Sequence, residues 1–287
     1  MGFEFTRSDR TVRAALRRIA DEQAAAALKA AGGDGPLEPR VHAMRKSVKK
    51  MRGLIRLVRP AFDAFADENA ALRDAARHLA PLREQDVLAR TLAHLCADDP
   101  GLAGLDALPI PAAAAQPPAD AGAALAAFTA DMAAIRTRAA EWSLSAGGFD
   151  ALDGGLARTW RQARRGLARA TAAPSGSVLH DWRKRVKDHW YQARLLRPLW
   201  PEVMAPHIAA ADRLGEALGD HHDLEVLCAA LALRGDDAAA ARLTAAARAR
   251  QQALEAEAFA LGARLLADEP AALAARWRVW WDLWRTP

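Results

Sequence analysis

The chain has 287 residues, 52% of them apolar, and carries 40 Lys and Arg against 35 Asp and Glu, a formal net charge of +5. Ala abounds while Tyr occurs once and Phe seven times, which argues against a strand-rich fold, since strands favour β-branched and aromatic residues and Ala is the strongest helix former. The two cysteines, Cys96 and Cys228, form no C-x-x-C pair, so no zinc or disulfide framework is expected and a reducing cytoplasm is the simpler setting.

The opening MGFEFTRSDRTVRA lacks the apolar run of a secretory signal, and no stretch of 18 apolar residues predicts a membrane span. The first predicted helix contains RTVRAALR, Arg10 to Arg17. The second is VHAMRKSVKKMRGLIRLVRP, Val41 to Pro60. Within it Val41, Met44, Val48, Met51, Ile55 and Val58 alternate by three and four residues, the pattern of a buried helical stripe. A second stripe, His42, Arg45, Lys49, Arg52 and Arg56, lies roughly 120° away at 3.6 residues per turn. Eight Lys or Arg fall between Arg40 and Arg59 with no Asp or Glu. A solvated helix face would interleave acids, because like charges one turn apart repel. A bound anion is the natural counterpart of such a row.

Downstream, LAPLREQDVL (Leu79 to Leu88) reads as an acidic turn before another helix, with Pro81 inside it. Five prolines between Asp98 and Asp120 mark a linker. A helix is predicted near Ala121 to Trp142, then a glycine-rich break around Gly147 to Gly155.

The pattern then returns. RTWRQARR (Arg158 to Arg165) matches RTVRAALR, and LHDWRKRVKDHWYQARLLRP (Leu179 to Pro198) matches the basic helix at an offset of 138 residues, with nine identities in 20 positions. His180, Arg183, Lys184, Lys187 and Arg194 recur in place of His42, Arg45, Lys46, Lys49 and Arg56, with only Asp181 and Asp188 opposed. LGDHHDLEVL (Leu218 to Leu227) aligns with the first acidic element. A long helix is predicted over Ala238 to Leu266. A last one over Ala271 to Trp284 puts Trp277, Trp280, Trp281 and Trp284 on one face, read as packing rather than as a membrane or granule contact. The expectation is an all-α fold from an internal duplication: residues 1–98 as the first half, 99–120 as the linker and 121–287 as the second half.

The doubled pattern H-x-x-R-K-x-x-K-x-x-x-x-x-x-R, with L-G-x-x-x-D-x-[DE]-V-L after the second copy, resembles the CHAD domain, the conserved histidine α-helical domain. The resemblance implies two pseudosymmetric helical bundles whose basic helices face a shared groove or pore. It also implies binding of inorganic polyphosphate and association with polyphosphate granules in bacteria, where granule-associated proteins are further expected partners. The anion-binding role transfers by position to His42, Arg45, Lys46, Lys49, Arg52 and Arg56, and to His180, Arg183, Lys184, Lys187 and Arg194. Arg13, Arg17, Arg161 and Arg165 are additional candidates. Position 190 is Trp where its counterpart is Arg52, so the halves differ electrostatically. Some relatives carry a triphosphate-tunnel enzyme domain marked by E-x-E-x-K; none opens this chain, and a stand-alone module is expected.

Two other chemistries compete. His221, His222, Asp223 and Glu225, with Glu84 and Asp86, suggest a metal-dependent polyphosphate or triphosphate hydrolase. Adjacent helical residues diverge by about 100°, however, so helix capping by Asp220 and Asp223 or ion pairing is preferred over a metal centre. No phosphate loop or nucleophile elbow is present, and neither catalysis nor a cofactor is expected. Nucleic acid is not favoured, since the first basic stripe carries no aromatic or amide for base contacts.

Overall fold

The computed structural model describes residues 2–82, 84–111 and 120–286, the side chains of 84–87 excepted. These residues form ten α-helices and no strand. In chain order they are α1 (Val12–Ala31), α2 (Leu37–Leu57), α3 (Phe65–His78), α4 (Glu84–Asp98), α5 (Ala121–Ala139), α6 (Asp150–Ala172), α7 (Gly176–Leu195), α8 (Pro201–Ala232), α9 (Ala238–Leu265) and α10 (Pro270–Arg285).

Local chemistry sets several boundaries. Thr11, Ser175 and Asp237 accept backbone N–H bonds in the first turns of α1, α7 and α9, satisfying donors that a helix start leaves open. The basic helices α2 and α7 end alike. Val58 and Leu196 share φ near −96° with ψ of 7°, and each is followed by an Arg-Pro 3-10 turn, Arg59–Ala61 and Arg197–Leu199.

Helix α1 packs on α2 and α5, and α3 packs on α2 and α5. In the rest of the chain α7 lies between α6 and α8, α9 lies along α8, and α10 covers α6. The two sets meet where α2 contacts α6 and α7, and where α4 contacts α8. Buried side chains from both sets join one connected hydrophobic core. The N-terminal segment closes the far end: Phe5 N–H donates to the Leu195 carbonyl and the Phe5 ring meets Trp281 edge-on.

Three expectations change. The glycine-rich stretch is not a break throughout, because α6 starts at Asp150 and contains Gly154 and Gly155. A Cβ on Gly155 would lie 1.9 Å from the Leu57 carbonyl oxygen, so glycine here permits backbone contact between α6 and the end of α2. The second acidic element is not a turn. It lies inside the continuous α8, so Asp220 and Asp223 cap nothing; in the first half Pro81 stands between α3 and α4, where its ring and missing N–H interrupt the helix. Finally, α5 falls in the range assigned to the second half yet packs on α1 and α3. Within the linker range, residues 112–119 lie outside the described residues.

On α10, Trp277, Trp281 and Trp284 are buried, whereas Trp280 is partly exposed and meets Trp200 edge-on.

Candidate anion-binding site

The two basic helices cross at Gly53 and Tyr191. A Cβ on Gly53 would lie 2.7 Å from the tyrosine Cβ, so only glycine allows α2 and α7 to approach this closely. At about 100° per residue, Arg52 and Arg56 fall on one side of Gly53 and Lys46 and Lys50 on the other. Tyr191 likewise separates Arg185 and Asp188 from Lys187 and Arg194.

On the first side, Arg56 donates to Asp188 at 2.9 Å and Arg185 donates to the other carboxylate oxygen at 3.0 Å. Asp188 is buried, and desolvation pushes its pKa up, against the opposing pull of Arg56, Arg185 and Arg52. Arg52 reaches the Asn69 side-chain oxygen at 3.2 Å. Burial, and next the charge of Arg56, pull its pKa down to about 10.

On the second side, Lys50 is half-buried, its ammonium 5.3 Å from the centre of the Phe3 ring. Desolvation and then the charges of Arg194 and Lys46 lower its pKa. Arg194 stacks on Trp190 at 4.7 Å and also bears on Phe3. Lys187 sits 4.0 Å over Trp190 and pairs with Asp212 at 2.8 Å.

The remaining α7 cations lie along α8, over two glycines one turn apart. A Cβ on Gly215 would strike the Lys187 stem at 2.4 Å, and one on Gly219 would strike the Arg183 guanidinium at 2.8 Å. Arg183 donates to the Gly215 carbonyl at 3.2 Å. His180 continues the line, its ring 4.1 Å from that of His222. Burial, then the charge of His222, lower its pKa to about 4, so the imidazole is neutral at pH 7 in the unliganded protein. Lys184 is exposed and pairs with Asp181 at 3.0 Å. On α2, His42, Lys46 and Lys49 are exposed and Arg45 is partly exposed.

The outlying arginines are placed differently. Arg17 is spent on the Trp142 carbonyl at 2.8 Å, and Arg13 is exposed. Arg161 and Arg165, with Arg164, line a shallow cleft against Glu269 and Pro270, where Arg164 pairs with Glu269.

The residues weighed as metal ligands turn to separate partners. His221 bonds Glu255 at 2.9 Å, while His222 bonds Glu225 at 3.3 Å and sets its ring at a tilt against that of His180. No group of three or more His, Cys, Asp or Glu suited to a metal ion occurs among the described residues. The side chains of Glu84 and Asp86 lie outside them.

Sequence spacing missed Lys50, Arg59, Arg158 and Arg185 as members of this charged assembly. Lys50 and Arg59 stood in the acid-free run and Arg185 beside Lys184, so a signal existed. Arg158 was legible only as part of the upstream repeat.

An all-helical protein with two crossed, cation-rich helices is thus defined. The chain matches the CHAD domain family over residues 10–232 and belongs to it. No curated protein matches the chain. No helix among the described residues is long and apolar enough to cross a membrane.

Proposed function

We propose that this protein binds inorganic polyphosphate without cleaving it, through the facing cation rows of α2 and α7, and that it does so at polyphosphate granules in the cytoplasm. The CHAD family's association with polyphosphate supports the ligand class. The observation that carries the reading is the crossing at Gly53 and Tyr191, which joins both rows at one place. The two halves are products of one duplication, and the 138-residue offset that aligns their sequences also separates Gly53 from Tyr191. A pseudo-twofold axis through that contact makes the rows two arms of one basic groove, closed at the far end by α4 against α8. Arg forks take paired phosphate oxygens and Lys adds point charges. A linear chain of identical phosphates needs charge and fit rather than base contacts, which separates this reading from nucleic-acid binding.

The test is a salt titration of affinity together with charge reversal. Affinity for polyphosphate is expected to fall steeply with salt, as release of condensed counterions requires. Joint replacement of Arg45, Lys49, Arg183 and Lys187 by Glu is expected to abolish binding and preserve helicity by circular dichroism. A flat salt response, retained binding in that variant, or preferential competition by DNA argues against the proposal. Phosphate release from the chain with Mg²⁺ or Mn²⁺ argues for a hydrolase instead.

A further inference from the structure

Guanidinium groups from four separate elements gather at the C-terminal end of α2: Arg56 of α2 and Arg185 of α7 share Asp188, Arg52 meets Arg56 at Asn69, and Arg59 of the following 3-10 turn and Arg158 of α6 stand on elements that pack together. The charges of Arg158, Arg56 and Arg185 all bear on Arg59, and those of Arg56 and Arg185 bear on Arg52. Among the described residues, Asp188 is the carboxylate that Arg56 and Arg185 bond.

The other acceptors these arginines find are neutral amide oxygens. Asn69 takes Arg52 at 3.2 Å and Arg56 at 3.5 Å, and Gln162 takes Arg185 at 3.4 Å. Such long bonds to uncharged oxygens are readily surrendered to an anion, because charge-assisted bonds are shorter and roughly twice as strong. Arg59 and Arg158 are exposed, so the cluster opens to solvent.

The cluster lies at the C-terminal end of the α2 row, so a chain laid along that row from His42 runs into it. Across the crossing, Lys46, Lys50 and Arg194 are interleaved with Phe3 and Trp190 and offer no comparable group of forks. The two sides therefore differ in what they grip. A bridging phosphate within a polyphosphate chain carries one negative charge. A terminal phosphoryl group, with a second ionisation near pH 6, carries nearly two at neutral pH and presents three oxygens.

We propose that Arg52, Arg56, Arg59, Arg158 and Arg185 form a terminal-phosphoryl site that anchors one end of a polyphosphate chain. This rests on the polyphosphate reading above and gives the bound chain a fixed end.

The test compares long polyphosphate with free ends against the same chains capped at both termini as phosphoramidates, which removes one ionisable oxygen from each end. Binding is measured on the intact protein and on an Arg59→Gln/Arg158→Gln variant, whose folding is checked by circular dichroism. Neither arginine donates a hydrogen bond among the described residues, so the variant is expected to fold. Capping is expected to weaken binding to the native protein about tenfold, the scale of one charge-assisted contact. The variant is expected to lose the preference for free ends, so that the ratio of free-ended to capped affinity falls to about one. Equal binding of free and capped chains by the native protein overturns the end site and leaves the groove reading intact. So does a variant that loses both affinities alike. If neither chain binds the native protein, the groove reading and the end site fall together.

Discussion

Arg56 and Asp188 form an ion pair of 2.9 Å across the crossing of α2 and α7, whereas Arg194 and Lys50, each 138 positions from one of them, form a pair of like charges. One position thus holds an acid in α7 and a base in α2. The same crossing places a shared carboxylate among the arginines on one side and sets two cations against each other on the other.

Asp188→Asn removes the carboxylate that Arg56 and Arg185 share. Two partly buried guanidiniums then lack their counter-charge, and loss of about 1–3 kcal/mol of stability is expected, towards the low end for breaking a buried pair because both arginines keep some solvent. Polyphosphate affinity is expected to rise, since the phosphates no longer compete with a fixed anion. Urea denaturation and a binding titration on the same preparation check both signs.

Lys50 has a lowered pKa in the folded protein, so its charge opposes folding at pH values below its ordinary 10.5, and the penalty fades as the pH approaches that value. Lys50→Met is therefore expected to raise stability at pH 7, with a smaller gain at pH 10, and to weaken polyphosphate binding. An equal gain at both pH values would show that packing against Phe3, rather than charge, is responsible.

His180 is held neutral, with a pKa of about 4 against an ordinary 6.5. Its folded pKa is depressed, so stability attributable to the neutral ring declines as pH falls from about 6.5 towards 4. A nearby polyanion favours the imidazolium and works against that shift. Polyphosphate is expected to raise the His180 pKa and to bind with proton uptake near pH 6, visible in the imidazole resonances and in the buffer dependence of the binding enthalpy. A pKa unmoved by saturating ligand places the anion elsewhere.

Two glycines carry the helix contacts. Gly155→Ala forces a methyl group against the Leu57 carbonyl backbone, which cannot swing aside, and a loss above about 3 kcal/mol or failure to fold is expected. Gly53→Ala meets Tyr191 at 2.7 Å and is expected to cost about 1–3 kcal/mol, to spread the two basic helices and to weaken polyphosphate binding. Thermal melts rank the pair; Gly53→Ala protein with native affinity would separate the crossing from the site.

The helices were readable because their cause is local. The apolar stripe from Val41 to Val58 follows the helical period, and Val41, Met44, Val48, Met51, Ile55 and Val58 are all buried, each 3% exposed or less. Gly154 and Gly155 misled because glycine in isolation signals a turn, while its use here is to admit a carbonyl from another helix. The acidic element around Asp220 misled for a related reason. Its counterpart contains Pro81 and breaks, and nothing within residues 218–227 interrupts the helix.

Composition and spacing were enough to determine that the chain is helical, that it belongs with CHAD domains, and that two of its helices carry cation rows, since each depends on residue identity or on one helix's own period. Tertiary structure alone decided which charges remain in excess. Asp188 serves Arg56 from across the crossing as well as Arg185 on its own helix, so that arginines far apart in the chain meet at one carboxylate, and Asp212 reaches Lys187 from α8. Charge pairing and desolvation depend on distance through space and on exclusion of water, and the order of residues along one helix encodes neither.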